Sequence, residues 1–247
     1  MIRIRRLSKE YPGGTRALDD VSLDIVNGEF IALIGPSGAG KSSLLRCVNG
    51  LVAPTSGEVI VDGQPVTGAP DEAVRQVRAG VGFVFQQFNL LRRLTVLQNV
   101  LVGRLAHASR WRSLIGWFDP VDVARARSVL ERIGLDGLAD RRVDTLSGGQ
   151  QQRVAIARAL VQSPRIMLAD ELMASLDPAL SRTVMELLRR INLEDGITVI
   201  TSLHVLGLAR DYGRRIIALR DGRIVHDGPP ESLTGKVASV IFGDAPV

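Results

Sequence analysis

Three short stretches of this 247-residue chain hold residues that can do chemistry together. In "GPSGAGKSS" the spacing Gly35-x-x-x-x-Gly40-Lys41-Ser42 is that of a phosphate-binding P-loop. Across Gly35, Pro36, Ser37, Gly38, Ala39 and Gly40, small residues let successive backbone N–H groups curl around phosphate oxygens. The positive end of a helix starting near Lys41 faces the same anion. Lys41 supplies a compact charge to the β- and γ-phosphates, the Ser42 hydroxyl ligates Mg²⁺, and Ser43 completes the helix start. The only lysines are Lys9, Lys41 and Lys236, so one at the required position is informative. The bland alternative is a glycine turn that merely precedes a helix. The strand–loop–helix context argues against it.

A P-loop needs a second carboxylate for its metal. "RIMLAD" (Arg165–Asp170) ends in Asp170 at the C-terminal end of a buried strand, where open α/β sheets place their sites. Asp170 would hold Mg²⁺ directly or through water. Glu171 follows and suits a general base that polarises an attacking water. An acidic helix cap is the competing reading of the pair.

The third stretch is "LSGGQQQRVAIARAL", Leu146 to Leu160. Ser147, Gly148 and Gly149 precede a helix with exposed N–H donors, which with Gln150 makes a second phosphate cradle. Two cradles hardly fit one nucleotide within one chain. The geometric resolution is that the second closes over the γ-phosphate of ATP held by another copy. Two chains head to tail about a twofold axis then form two composite sites.

The elements that must position these residues can be read from periodicity. "IRIRRL" (Ile2–Leu7) and "VSLDI" (Val21–Ile25) alternate like strands with one wet face, with a "PGGT" turn between them. "EFIALI" (Glu29–Ile34) is continuously apolar, as for a strand buried on both faces, and "KSSLLRCV" follows the loop as a helix. "GEVIVDG" and "GVGFVF" read as further strands. From about Gln86 to Gln162 helical periodicity takes over, in "TVLQNVLVGRL" and "PVDVARARSVLERIGL". Strands then return in "RIMLAD" and "ITVITS", separated by the helix "PALSRTVMELLRRI". "RIIALRDGRIVHDG" is a hairpin turning at Asp221-Gly222. The alternation predicts an α/β fold with a mostly parallel core sheet. We divide it into a nucleotide-binding α/β core with a β subdomain, residues 1–85 and 163–247, and an inserted helical subdomain, residues 86–162.

Composition narrows the classes further. The net charge of +5, from 31 basic and 26 acidic residues, is spread along the chain and does not point to nucleic acid. No apolar run approaches the roughly 20 residues of a membrane helix, and "MIRIRRLSKEY" has no signal-peptide core, so a cytoplasmic location is expected. The lone Cys47 excludes an internal disulfide and reads as a small buried hydrophobe.

"LSGGQ" beside a P-loop resembles the ATP-binding cassette family, specifically its transporter ATPase subunits, and the resemblance covers nearly the whole chain. It implies a P-loop ATPase with an antiparallel β subdomain and an inserted helical one. ATP and Mg²⁺ would be its cofactors, and an ATP-dependent head-to-tail dimer its working form. Tyr11 falls where an aromatic stacks on adenine; a core tyrosine is the alternative. Gln86 in "VFQQFNLL" matches the glutamine that senses Mg²⁺ and the attacking water, and begins the loop that touches the membrane subunit. Asp177 in "SLDP" matches the loop that communicates across the dimer, and also reads as an N-cap before Pro178. His204 in "TSLH" matches the histidine on the γ-phosphate. His107 and His226 match nothing and are expected on the solvated surface. One departure is visible: Leu172 stands where the family has a proline, which loosens the placement of Glu171.

The family's importers keep the ATPase as a separate chain, as here. Such a chain sits peripherally on the cytoplasmic face of the cell membrane against permease subunits, and indirectly serves a periplasmic binding protein. "QFNLLRRLTVLQNVLVGRL" resembles bacterial importers of small polar solutes. Residues Gly103–Asp122, with Trp111 and Trp117, resemble the ATPases of phosphonate importers more than those of amino-acid importers. A helical hairpin with two packing aromatics is the plain alternative. A soluble ATPase of the same superfamily usually carries two cassettes or a long coiled coil, neither of which appears. A P-loop kinase or GTPase containing "LSGGQ" by accident would lack Gln86 and His204 in place. The C-terminal "TGKVASVIFGDAPV" suggests no role.

Overall fold

The structure is a computed structural model describing residues 1–106, 118–173 and 177–243. His107, Trp111 and Trp117 therefore lie outside the described residues. Strands β1 (Ile2–Tyr11), β2 (Thr15–Ile25) and β3 (Phe30–Ile34) precede helix α1 (Lys41–Val48). Then come β4 (Ser56–Val61), β5 (Gln64–Pro65), α2 (Asp71–Ala79) and β6 (Val81–Val84). Helices α3 (Val96–Val102), α4 (Pro120–Arg132) and α5 (Gly148–Leu160) follow. The chain continues through β7 (Ile166–Ala169), α6 (Pro178–Asp195), β8 (Thr198–Leu203) and α7 (Leu206–Tyr212). It closes with β9 (Arg215–Arg220), β10 (Arg223–Gly228) and α8 (Gly235–Phe242).

The strands form two sheets. The larger runs β10-β9-β3-β8-β7-β6, with β3, β6, β7, β8 and β9 parallel and β10 antiparallel at the edge. The smaller, β2-β1-β4-β5, is antiparallel throughout. All five residues of β3 are buried, and its side chains divide between two cores. Phe30, Ala32 and Ile34 join the cluster with helices α3 to α6. Ile31 and Leu33 join the one with α1 and the antiparallel sheet. A strand covered on both faces reads as a continuous apolar run, as its sequence does.

Strands β1 and β2 run longer than the alternation suggests. Arg5 and Arg6 are both exposed, Arg6 has φ 45°, and the pairing slips between Ile4 and Leu7. This β-bulge resets the alternation, so Leu7 is buried like Ile2 and Ile4 and the strand continues to Tyr11. The hairpin after β9 turns where expected: Asp221 and Gly222 have φ 50° and 77°, the two positive values of a type I′ turn. Helix α2, not anticipated from the sequence, buries only Val74 and Val77 behind an acidic first turn. Cys47 is fully buried, and burial pushes its thiol up to about 11.

The C-terminal segment has a physical role. Thr234 caps α8, whose Ala238 and Ile241 are buried in the main core. Arg210 donates to the Leu233 carbonyl at 2.7 Å, holding the approach to α8 against α7. His226 is half-buried rather than a free surface residue, with Nε2 3.1 Å from Ser232 Oγ.

Candidate active site

The P-loop leaves the C-terminal end of β3, which lies between β9 and β8 in the parallel sheet, and passes into α1. Two of its glycines are dictated by close approach. A Cβ on Gly35 would lie 2.2 Å from the Leu219 carbonyl oxygen, and one on Gly40 2.2 Å from that of Ala17. Gly38 has φ 81° and faces open space. The Lys41 ammonium turns back into the loop and donates to the carbonyls of Gly35 and Pro36 at 2.8 and 2.9 Å. The residue is only 3% exposed. Burial lowers its pKa, and the charges of Glu171 and Asp170 pull the other way.

Beside it, strand β7 delivers Asp170, 1% exposed. Ser42 Oγ donates to Asp170 Oδ1 at 2.8 Å, bringing together groups 128 residues apart in sequence. Ser202, near the end of β8, donates to the same oxygen at 3.1 Å and accepts the Glu171 N–H at 2.7 Å. The Asp170 N–H donates to the Val84 carbonyl at 2.9 Å. Arg46 stands 3.7 Å from Asp170 Oδ2. Ser42 and Asp170 thus present hard oxygens at bonding distance, a donor set that fits Mg²⁺.

Glu171 has φ 49°, a left-handed backbone that non-glycine residues seldom adopt. Its Oε1 is 2.8 Å from His204 Nε2, just past the end of β8. Ser37, Glu171, Met173, Ser202 and His204 line one cleft of about 490 Å³. P-loop, carboxylates and histidine therefore share one end of the parallel sheet.

The remaining expected residues surround this centre. Tyr11 Oη lies 3.2 Å from Ser43 Oγ, which brings the ring to α1, and Lys9 Nζ is 5.0 Å from the ring centroid. Gln86 is exposed on the turn leaving β6. Phe88 and Asn89, next on that turn, have φ 60° and 49°. Their carbonyls both accept from Arg158 of α5, at 2.5 and 2.6 Å. Asp177 caps α6, accepting from the N–H groups of Ala179 and Leu180 at 3.0 and 2.9 Å.

Ser147 is the N-cap of α5, and the two glycines lie within the helix's first turn rather than before it. A capping box ties Ser147 and Gln150: the Ser147 N–H donates to Gln150 Oε1 at 3.0 Å, and the Gln150 N–H to Ser147 Oγ at 3.4 Å. By helix geometry the N–H groups of Gly148 and Gly149 have no partner within the helix. Gly148 is exposed, whereas Gly149 is buried, and a Cβ there would sit 2.7 Å from Leu180 Cδ2.

A family model described as ABC transporter matches residues 18–174, well over half the chain. The chain belongs to the ABC transporter family. It is 49% identical over 245 residues to the phosphonates import ATP-binding protein of Bdellovibrio bacteriovorus, covering 99% of this chain and 94% of that one. The protein of the same description from Staphylococcus aureus (strain MRSA252) is 47% identical over 242 residues, covering 98% and 94%. Among solved structures, a dimeric post-hydrolysis ATP-binding cassette bound to ADP and Pi superposes with a TM-score of 0.82 at 39% identity. It covers 93% of this chain and 99% of that one. A nucleotide-free cassette from an ABC transporter gives 0.84 at 28% identity, covering 99% of both chains.

Within this ABC transporter cassette, sequence reasoning missed Ser202, Gln152, Arg158 and Leu180. Ser202 had a signal: it is a hydroxyl at the end of a buried strand, two residues before His204. The others act through bonds and contacts between distant segments, for which spacing carries no sign. Leu172 is 1% exposed and packs in the main core, so burial fixes the turn there without the stiffness of a proline.

Proposed function

We propose that this chain is the ATP-hydrolysing subunit of an importer carrying phosphonates through a separate permease. Its relatives at 47–49% identity, named for phosphonate import, support the solute. One observation carries the hydrolytic assignment: at one end of the sheet, beside the P-loop that holds Lys41, Ser42 meets Asp170 and Glu171 meets His204, each at 2.8 Å.

In this reading Gly35 through Ser43 wrap the phosphates and Tyr11 stacks on adenine. Ser42 and Asp170 would hold Mg²⁺, with the Gln86 side chain as a further ligand. Mg²⁺, when bound, offsets charge on the β- and γ-phosphate oxygens. Glu171 accepts a proton from water as the water oxygen bonds to the γ-phosphorus and the bond to the β–γ bridging oxygen breaks, giving ADP and phosphate. His204 holds the Glu171 carboxylate and reaches the γ-phosphate. Ser147, Gly148, Gly149 and Gln150 serve the nucleotide of a second copy, and Asp177 sits at the seam between copies. The dimeric cassette among the solved structures supports this arrangement.

Residues 86–162 form the inserted helical subdomain, supported by the lack of any strand of either sheet among the described residues there. We place the chain on the cytoplasmic face of the membrane, against permease subunits fed by a periplasmic binding protein. No helix among the described residues is long and apolar enough to cross a membrane.

The test has two arms. The purified chain should hydrolyse ATP with Mg²⁺, and Lys41→Ala should abolish this; turnover near the wild-type rate in the variant refutes the P-loop assignment. Reconstituted with its permease and binding protein, the chain should drive ATP-dependent uptake of a labelled alkylphosphonate. Uptake of amino acids instead would overturn the solute.

A further inference from the structure

Gln152, on the second turn of α5, is fully buried. Its Nε2 donates to the Leu172 carbonyl at 2.8 Å and lies 3.9 Å from Met173 Sδ. Its Oε1 is buried with no hydrogen-bond partner among the described residues. An unpaired buried amide oxygen is unfavourable, so an apolar side chain of the same shape would serve stability as well or better. The amide orientation is nevertheless settled, because reversing it would set two oxygens against each other.

The bond falls on the residue directly after Glu171. Glu171 is left-handed, a backbone state that persists only where its surroundings over-determine it. Two restraints act before or at it: the Asp170 N–H on the Val84 carbonyl and the Glu171 N–H on Ser202 Oγ. On the far side, Gln152 holds the Leu172 carbonyl. These three bonds bracket the turn, and only Gln152 reaches it from α5. The same helix begins at Ser147 and presents exposed Gly148 outward.

We propose that Gln152 is a positioning residue for Glu171, tying the helix that serves the partner's nucleotide to the general base of its own chain. This rests on the assignment of Glu171 as that base. The link is a single donor, so a shift of α5 along its axis moves the carboxylate without any change in the P-loop.

Gln152→Met keeps the size and removes the donor. We expect kcat for ATP to fall about 10- to 100-fold, as misplacement of a reacting group does. KM for ATP should change less than twofold, and the thermal midpoint should stay at or above the wild-type value. In a Glu171→Gln background the same change should give no further loss in single-turnover rate, since the group it positions is already gone. A kcat within twofold of wild type overturns the proposal. So does a further loss in the Glu171→Gln background as large as in the wild type. Should Gln152→Met be insoluble, Gln152→Leu, which also lacks the donor and buries no charge, is read in the same way. Wild-type turnover abolished by Lys41→Ala is the reference. If that reference fails, the hydrolytic assignment falls and this proposal with it; if it holds and Gln152→Met turns over normally, only the positioning role falls.

Discussion

The two glycine-rich loops share a composition and differ in almost everything physical. In the P-loop, Gly35 and Gly40 are pressed against backbone carbonyls, both have positive φ, and Lys41 is buried among its own loop's oxygens. At the start of α5 neither glycine has a positive φ, Ser147 and Gly148 face solvent, and the cap is a self-contained box. The first loop is a pocket finished within one chain. The second faces outward through Ser147 and Gly148, with Gly149 buried behind them. The pair makes sense when the outward one meets the finished pocket of another copy.

The comparison can be broken most severely at Lys41. Lys41→Ala should reduce nucleotide affinity to the detection limit in a titration with labelled ATP; retained affinity would make the P-loop no more of a pocket than the other loop. Ser147→Arg should abolish hydrolysis in the mutant homodimer and leave ATP binding to the isolated chain within about twofold, because the exposed cap contributes nothing to its own chain's pocket. Loss of that binding would place both loops in one site.

The two glycines of the second loop should then separate from each other. Gly149→Ala meets Leu180 and should cost about 1–3 kcal/mol of unfolding free energy in a denaturant titration. Leu180→Ala in the same chain should restore part of it. Gly148→Ala has open space and should leave stability unchanged. Equal destabilisation by both would mean that Gly149 is not held by packing.

The smallest effect is expected beside the P-loop, at Cys47. With burial pushing its thiol from 9.0 up to about 11, the folded chain should not react with a thiolate-seeking reagent at pH 8. The unfolded chain releases that proton first, so this group's contribution to stability declines as pH rises from about 9 to about 11. Rapid labelling of the native protein at pH 8 would show the core around α1 to be open.

Much of this was legible in the residues. The run Phe30–Ile34 showed its double burial, Asp221-Gly222 its turn, and the P-loop and Asp170-Glu171 their neighbourhood at the sheet's end. What stayed hidden depends on tertiary contact. Helix α2 buries two valines behind a polar surface, a signal too thin to separate from a loop. The bulge at Arg6 breaks the alternation that identifies a strand. Gln152 and Arg158 look like solvated polar residues until the fold places a carbonyl opposite each one. Gly149 looks like a ligand residue until Leu180 arrives from a helix beyond Asp177.

The grip of Arg158 on Phe88 and Asn89 has a mechanical meaning. Burial lowers the guanidinium's pKa, yet arginine stays charged at any physiological pH, so the clamp has no titration by which to let go. Helix α5 and the turn carrying Gln86 therefore stay tied across the physiological pH range. In the proposed function, docking of two copies at one end of that helix would reach, as by a connecting rod, the turn that carries Gln86.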